Sequence, residues 1–132
     1  MDVSGVSSLP LTLVLLATDS DDVFKSVDAS VASEELSVSR VAKGQQVVSA
    51  VAQIEPEIVI LDSQIENMGG FAVTKALRQE QGYDRLPGIK ILLLLDRQAD
   101  EFIASKSGAD SWFVKPLDPV RLQQSVEELL EG

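Results

Sequence analysis

Four consecutive apolar residues, Ile58 to Leu61, run directly into Asp62, and this segment constrains the fold more than any other. A strand that is apolar on every side chain has no face to offer water. It belongs between two covering layers, as the strands of a parallel sheet do. Leu11 to Ala17 and Ile91 to Leu95 have the same character at the same strand length, and helical patterns separate them. Val23, Phe24, Val27 and Val31 recur at helical spacing from Asp21 to about Ser33, with Asp21 and Asp22 suited to the positive end of the helix dipole. Leu36 to Val41 alternates like a half-exposed strand, Gly44 interrupts it, and Val47, Val48, Val51 and Ile54 mark a second helix ending before Pro56. After a loop from Ser63 to Gly70, Phe71, Val73, Ala76 and Leu77 mark a third helix. Asp100 to Ser107 reads as a short fourth helix and Ser111 to Val114 as a fifth strand. Pro119 to Leu130 closes the series with Leu122, Val126, Leu129 and Leu130 on one stripe. Five strand-helix units in a row require parallel pairing with right-handed crossovers. The expected fold is α/β, a doubly wound sheet with helices on both faces.

The chain has 132 residues, a length suited to one domain. We expect residues 1–8 to be an N-terminal tail, 9–130 the domain, and 131–132 a C-terminal end or tag remnant. Eleven Lys and Arg face 21 Asp and Glu, a net charge of -10 that repels nucleic acid phosphates and anionic lipid headgroups. Neither direct DNA contact nor membrane binding is expected. The sequence holds no cysteine and no histidine. Thiolate nucleophiles, Cys-ligated zinc, Ser-His-Asp triads and imidazole acid-base chemistry are therefore excluded. What remains is chemistry run by carboxylates, lysine, hydroxyls or a hard metal ion. No positive charge precedes Leu9 and no apolar run approaches the ~20 residues that span a bilayer, so the expected location is cytoplasmic.

In an open parallel sheet the functional site lies outside the carboxyl ends of the strands. Just past those ends come Asp19 after the first strand, Asp62 after the third, Asp96 after the fourth and Lys115 after the fifth. Carboxylates at two strand ends suit Mg2+, which takes oxygen ligands and keeps several waters. A lysine beside them would act as a point charge toward a phosphoryl group.

The block EPEIVILDSQIENMGGF (Glu55 to Phe71) and the block GADSWFVKPL (Gly108 to Leu117) resemble the acceptor-strand and Lys-Pro segments of the receiver domains of two-component response regulators. Nearly the whole chain, Leu11 to Leu130, is similar to that family. The resemblance implies a CheY-like fold with strand order 2-1-3-4-5. By this match Asp62 is the phosphoacceptor, Asp19 and Asp62 bind Mg2+, Gln64 lends it a backbone carbonyl, and Lys115 is the catalytic lysine, with a cis bond to Pro116. Leu95 and Trp112 fall at the switch positions. The partners implied are a sensor histidine kinase and an output domain or partner protein docking on the face of helix 4, strand 5 and helix 5, with a homodimer also allowed. Having no histidine, the chain would only accept the phosphoryl group.

Several positions depart from the family pattern. Thr18 stands where the first of two adjacent acids is usual, so Mg2+ binding should be weakened. Asp21 or Asp22 could supply a replacement through a water. Leu95 stands where a Ser or Thr hydroxyl contacts the phosphoryl group, and no Ser or Thr occurs between Thr74 and Ser105. The following small residue is Asp96, whose charge would repel phosphate. The segment before Gly108 is also about two residues short. Taken singly, Asp62 or Asp19 would be a helix-capping acid, Lys115 a solvated lysine, Trp112 a packing residue, and Asp21 and Asp22 a solvated helix start. Two other functions compete with the phosphorylated receiver. One is a pseudo-receiver that binds a protein without phosphorylation. The other is a haloacid-dehalogenase-like phosphatase using Asp19 as nucleophile and Asp21 as acid-base.

Overall fold

The computed structural model describes residues 11–132, so the expected tail at 1–8 lies outside the described residues. Five strands alternate with five helices. β1 (Thr12–Ala17), β2 (Leu36–Val41), β3 (Ile58–Asp62), β4 (Lys90–Leu95) and β5 (Ser111–Val114) form one parallel sheet in the order β2-β1-β3-β4-β5. The helices are α1 (Asp21–Val31), α2 (Val47–Ile54), α3 (Gly70–Gly82), α4 (Glu101–Lys106) and α5 (Pro119–Glu131). This is the doubly wound order expected from the sequence. The order reverses between β1 and β3, the edge at which such sheets hold ligands.

Alternation along each strand divides the core in two. Leu15, Val59, Leu61, Ile91, Leu93 and Leu95 point to one face and pack with Val51, Val73, Leu77 and Ala104 of α2, α3 and α4. Leu16, Ile58, Ile60, Leu92 and Leu94 point to the other, against Val27 of α1 and Leu122 and Val126 of α5. All five residues of β3 are buried, because β3 lies between β1 and β4 with helices above and below. Dry faces on both sides are the physical reason for its unbroken apolar run.

Local signals set the helix ends. Ser20 caps α1 by accepting from the Val23 amide at 3.2 Å, and Asp21 and Asp22 fill its first turn. The helix stops at Val31, two residues before the expected end. Glu55, in a left-handed conformation at φ 54°, closes α2 just before Pro56. Asp118 accepts from the amides of Val120 and Arg121 at the start of α5, with Pro119 in its first turn. The fourth helix is shorter than its sequence pattern: a 3-10 turn at Gln98–Asp100 precedes α4, which runs only from Glu101 to Lys106. The last helix continues through Glu131, one residue past the expected domain boundary.

Two glycines show where backbone crowding governs the architecture. A Cβ on Gly70 would sit 2.9 Å from the Asp62 carbonyl oxygen, which is how closely α3 starts against the end of β3. A Cβ on Gly44, in the 3-10 turn before α2, would fall 1.8 Å from the Met68 carbonyl oxygen. By contrast, Gly82 at the end of α3 has open space around it. Gly44→Ala is therefore expected to lower unfolding free energy by about 3 kcal/mol or more. Gly82→Ala should be neutral or add roughly 0.5 kcal/mol. Urea unfolding of the two variants checks both values.

Candidate functional site

The carboxyl ends of β1, β3, β4 and β5 meet around the side chain of Asp62. Asp62 is the last residue of β3 and its side chain is only 4% exposed. Burying a carboxylate is costly unless its oxygens are hydrogen-bonded and its charge is paired, and each condition is met here. Oδ1 accepts from the Lys115 ammonium at 3.0 Å and from the Gln64 amide at 3.2 Å. Oδ2 accepts from the Thr18 hydroxyl at 2.8 Å. Three strand ends thus converge on one carboxylate.

Each partner is placed by its own backbone. Thr18 is fully buried and follows β1 directly; its amide donates to the Val41 carbonyl and its hydroxyl also accepts from the Ser20 amide at 3.1 Å. Lys115 follows β5, and its amide donates to the Leu95 carbonyl at 2.8 Å, extending the Leu95–Val114 register by one residue. The Lys115–Pro116 bond is cis, as the sequence reading expected. That extension also sets Lys115 beside Asp96, whose Oδ1 lies 2.7 Å from the ammonium. Burial lowers the lysine's proton affinity, but the hydrogen bonds and charges of Asp96 and Asp62 outweigh it and hold its pKa above the ordinary value.

Asp19 and Gln64 lie on exposed loops at the same edge. Oδ2 of Asp19 accepts from the Glu66 amide at 3.0 Å, and the Glu66 carbonyl in turn accepts from the Gly44 amide at 2.9 Å. Asp19 therefore pins the loop that carries Gln64. Nothing in the sequence pattern pointed to this tie or to the Lys115–Asp96 bond, since both depend on distant segments meeting. Asp21 is 80% exposed and paired with Arg40 at 2.7 Å, and the same guanidinium donates to the Thr18 carbonyl at 3.0 Å. The phosphatase reading needs Asp21 as an acid-base beside Asp19; here Asp21 is engaged with Arg40.

Leu95 and Trp112 share one face of the sheet. Leu95 is fully buried, while Trp112 is half-buried against the same cluster and donates from its indole nitrogen to Oε2 of Glu101 at 3.0 Å. The indole is thus tied to the first residue of α4, a contact the sequence reading missed.

Residues that could hold Mg2+ are the carboxylates of Asp19 and Asp62 and the Gln64 carbonyl. These are hard oxygen donors of the kind this ion takes, with the remaining positions left to water. Among the described residues no group of three or more acidic side chains is placed to hold a metal ion. The donors fit Mg2+ in kind, with Thr18 supplying a hydroxyl where a further charge would bind it more tightly.

A doubly wound parallel sheet in this strand order, with acids and a lysine at its switch edge, has the architecture of a CheY-like signalling domain. Within that class the chain belongs to the response regulator receiver domain family, which matches residues 14–127. It is similar to the response regulator PleD of Caulobacter vibrioides, 27% identical over 116 residues, covering 88% of this chain and 25% of PleD. A nitrate/nitrite response regulator protein homolog of Haemophilus influenzae is 30% identical over 95 residues, 72% of this chain and 44% of that protein. The chain therefore spans less than half the length of these relatives. Among solved structures, the chemotaxis response regulator CheY4 of Vibrio cholerae superposes with a TM-score of 0.76 at 25% identity, covering 90% of this chain and 98% of that one. The signal receiver domain of a Syntrophus aciditrophicus signal transduction histidine kinase gives 0.80 at 24% identity over 92% and 91% of the two chains, a likeness of fold alone. No helix among the described residues is long and apolar enough to cross a membrane.

Replacing Thr18 by Val keeps its shape but removes the donor to Asp62 Oδ2 and the acceptor for the Ser20 amide. This should destabilise the protein by about 1 to 3 kcal/mol, because buried polar atoms lose their partners. Thr18→Ser, which keeps the hydroxyl, should lose clearly less in the same urea titration.

Proposed function

We propose that this receiver domain accepts a phosphoryl group on Asp62 from the phosphohistidine of a sensor histidine kinase in the cytoplasm. The observation that carries the reading is the Lys115 ammonium 3.0 Å from an acceptor carboxylate that is otherwise buried at the end of the central strand. In the transfer an Asp62 oxygen forms a bond to phosphorus, the donor's nitrogen–phosphorus bond breaks, and the released imidazole nitrogen takes a proton. Bound Mg2+ would neutralise charge on the phosphoryl oxygens. Lys115 does the same from the carboxyl end of β5, as a fixed charge that needs little reorganisation. The Gln64 amide and the Thr18 hydroxyl orient the carboxylate. Asp19 holds the loop that brings Gln64 to it and is, with Asp62, a proposed ligand of the metal.

The resulting acyl phosphate would act on the surface of α4, β5 and α5, where an output domain, a partner protein or a second copy would dock. A charge switch acts only through interactions that differ between two states. Leu95 offers no hydroxyl to the phosphoryl group and is fully buried in the core cluster against which Trp112 packs. That observation favours a second reading, a pseudo-receiver whose docking surface works without phosphorylation.

Incubation with Mg2+ and acetyl phosphate separates the two readings. The intact mass should rise by one phosphoryl unit in the wild type and stay unchanged in Asp62→Asn. An unmodified wild type would overturn the acceptor assignment and favour the pseudo-receiver, and an adduct on the Asn variant would refute Asp62 as acceptor.

A further inference from the structure

The pairing of β4 with β5 does more than bring Lys115 to the acceptor. The Lys115 amide bonds the Leu95 carbonyl, so residue 96 and residue 115 leave the sheet side by side. Their side chains meet at 2.7 Å, a shorter contact than the 3.0 Å between Lys115 and Asp62. One ammonium therefore serves two carboxylates. Among the described residues Lys115 is also the cationic side chain ion-paired to Asp62, so a single positive charge faces two carboxylates. Asp96 is 38% exposed at the mouth of the pocket, and Asp62 is nearly enclosed beneath it.

We propose that Asp96 is a positioning residue for Lys115 that favours the unphosphorylated state, by sharing the lysine and by placing a like charge beside the incoming group. The inference rests on Asp62 as acceptor. While Asp62 is a free carboxylate, one ammonium between two acids is a stable arrangement. Once the phosphoryl group arrives, its oxygens need that ammonium, and Asp96 both competes for it and repels the new charge. The domain would then hold its phosphoryl group weakly unless a partner or the metal offsets Asp96.

Beryllofluoride with Mg2+, titrated into the full chain by calorimetry, tests this as a stand-in for the phosphoryl group. Asp96→Asn keeps the size and an acceptor oxygen but removes the charge. It should bind about tenfold tighter than wild type, the scale expected for removing one nearby like charge in a partly solvated site. Asp96→Glu should bind like wild type, and the Asn advantage should shrink at high salt, which a steric role would not cause. If wild type binds and Asp96→Asn binds no tighter, the inference fails while the acceptor assignment stands. A gain in Asp96→Ala without one in Asp96→Asn would point to bulk rather than charge and would equally overturn it. If none of the proteins binds, the acceptor reading falls and takes this inference with it.

Discussion

The enclosed carboxylate of Asp62 is the constraint around which the upper edge of the sheet is organised. A charge this deeply buried is tolerated only with a full complement of partners, and those partners come from three other segments: the Thr18 hydroxyl after β1, the Gln64 amide in the following loop and the Lys115 ammonium after β5. Satisfying one group thus requires β1, β3 and β5 to end at the same level. The parallel register delivers that level, with Leu61 opposite Ala17 and Asp62 opposite Leu94.

The proposed reactivity follows from the same arrangement. A carboxylate held by fixed donors, with a lysine above it, is oriented before any phosphoryl donor arrives. Its environment then decides how well the product is kept. Here Thr18 leaves the pocket one charge short of what would bind Mg2+ most tightly, Leu95 replaces a polar contact by packing, and Asp96 draws on the lysine. On the proposed reading, the residues for accepting the group are retained, whereas those for reporting it through Trp112 are altered. That indole has its own anchor in Glu101, which ties it to the first residue of α4.

The sheet was legible in the sequence because β1, β3 and β4 are apolar on consecutive residues, a pattern few other environments allow. Asp62 and Lys115 were legible because each sits at the carboxyl end of a strand within a family-like motif block, and their meeting needed only the topology. The pairings that tune the site were not. Asp96 looked like a repelling charge because nothing local shows that the Leu95–Val114 register seats it against Lys115. Asp19 looked like a metal ligand or a cap, and its bond to the Glu66 amide depends on where a separate loop folds. The short α4 was overextended because the polar, weakly periodic stretch from Gln98 to Ser107 does not mark where the 3-10 turn gives way to α-helix.

Localising the modified residue tests the central claim most directly. Borohydride reduces an aspartyl phosphate to homoserine with release of phosphate, and peptide mass mapping then identifies the position. After treatment with Mg2+ and acetyl phosphate, homoserine should be found at position 62. Homoserine at Asp19 or Asp96 instead would contradict the account, because it would place the reactive carboxylate outside the pocket that Thr18, Gln64 and Lys115 build.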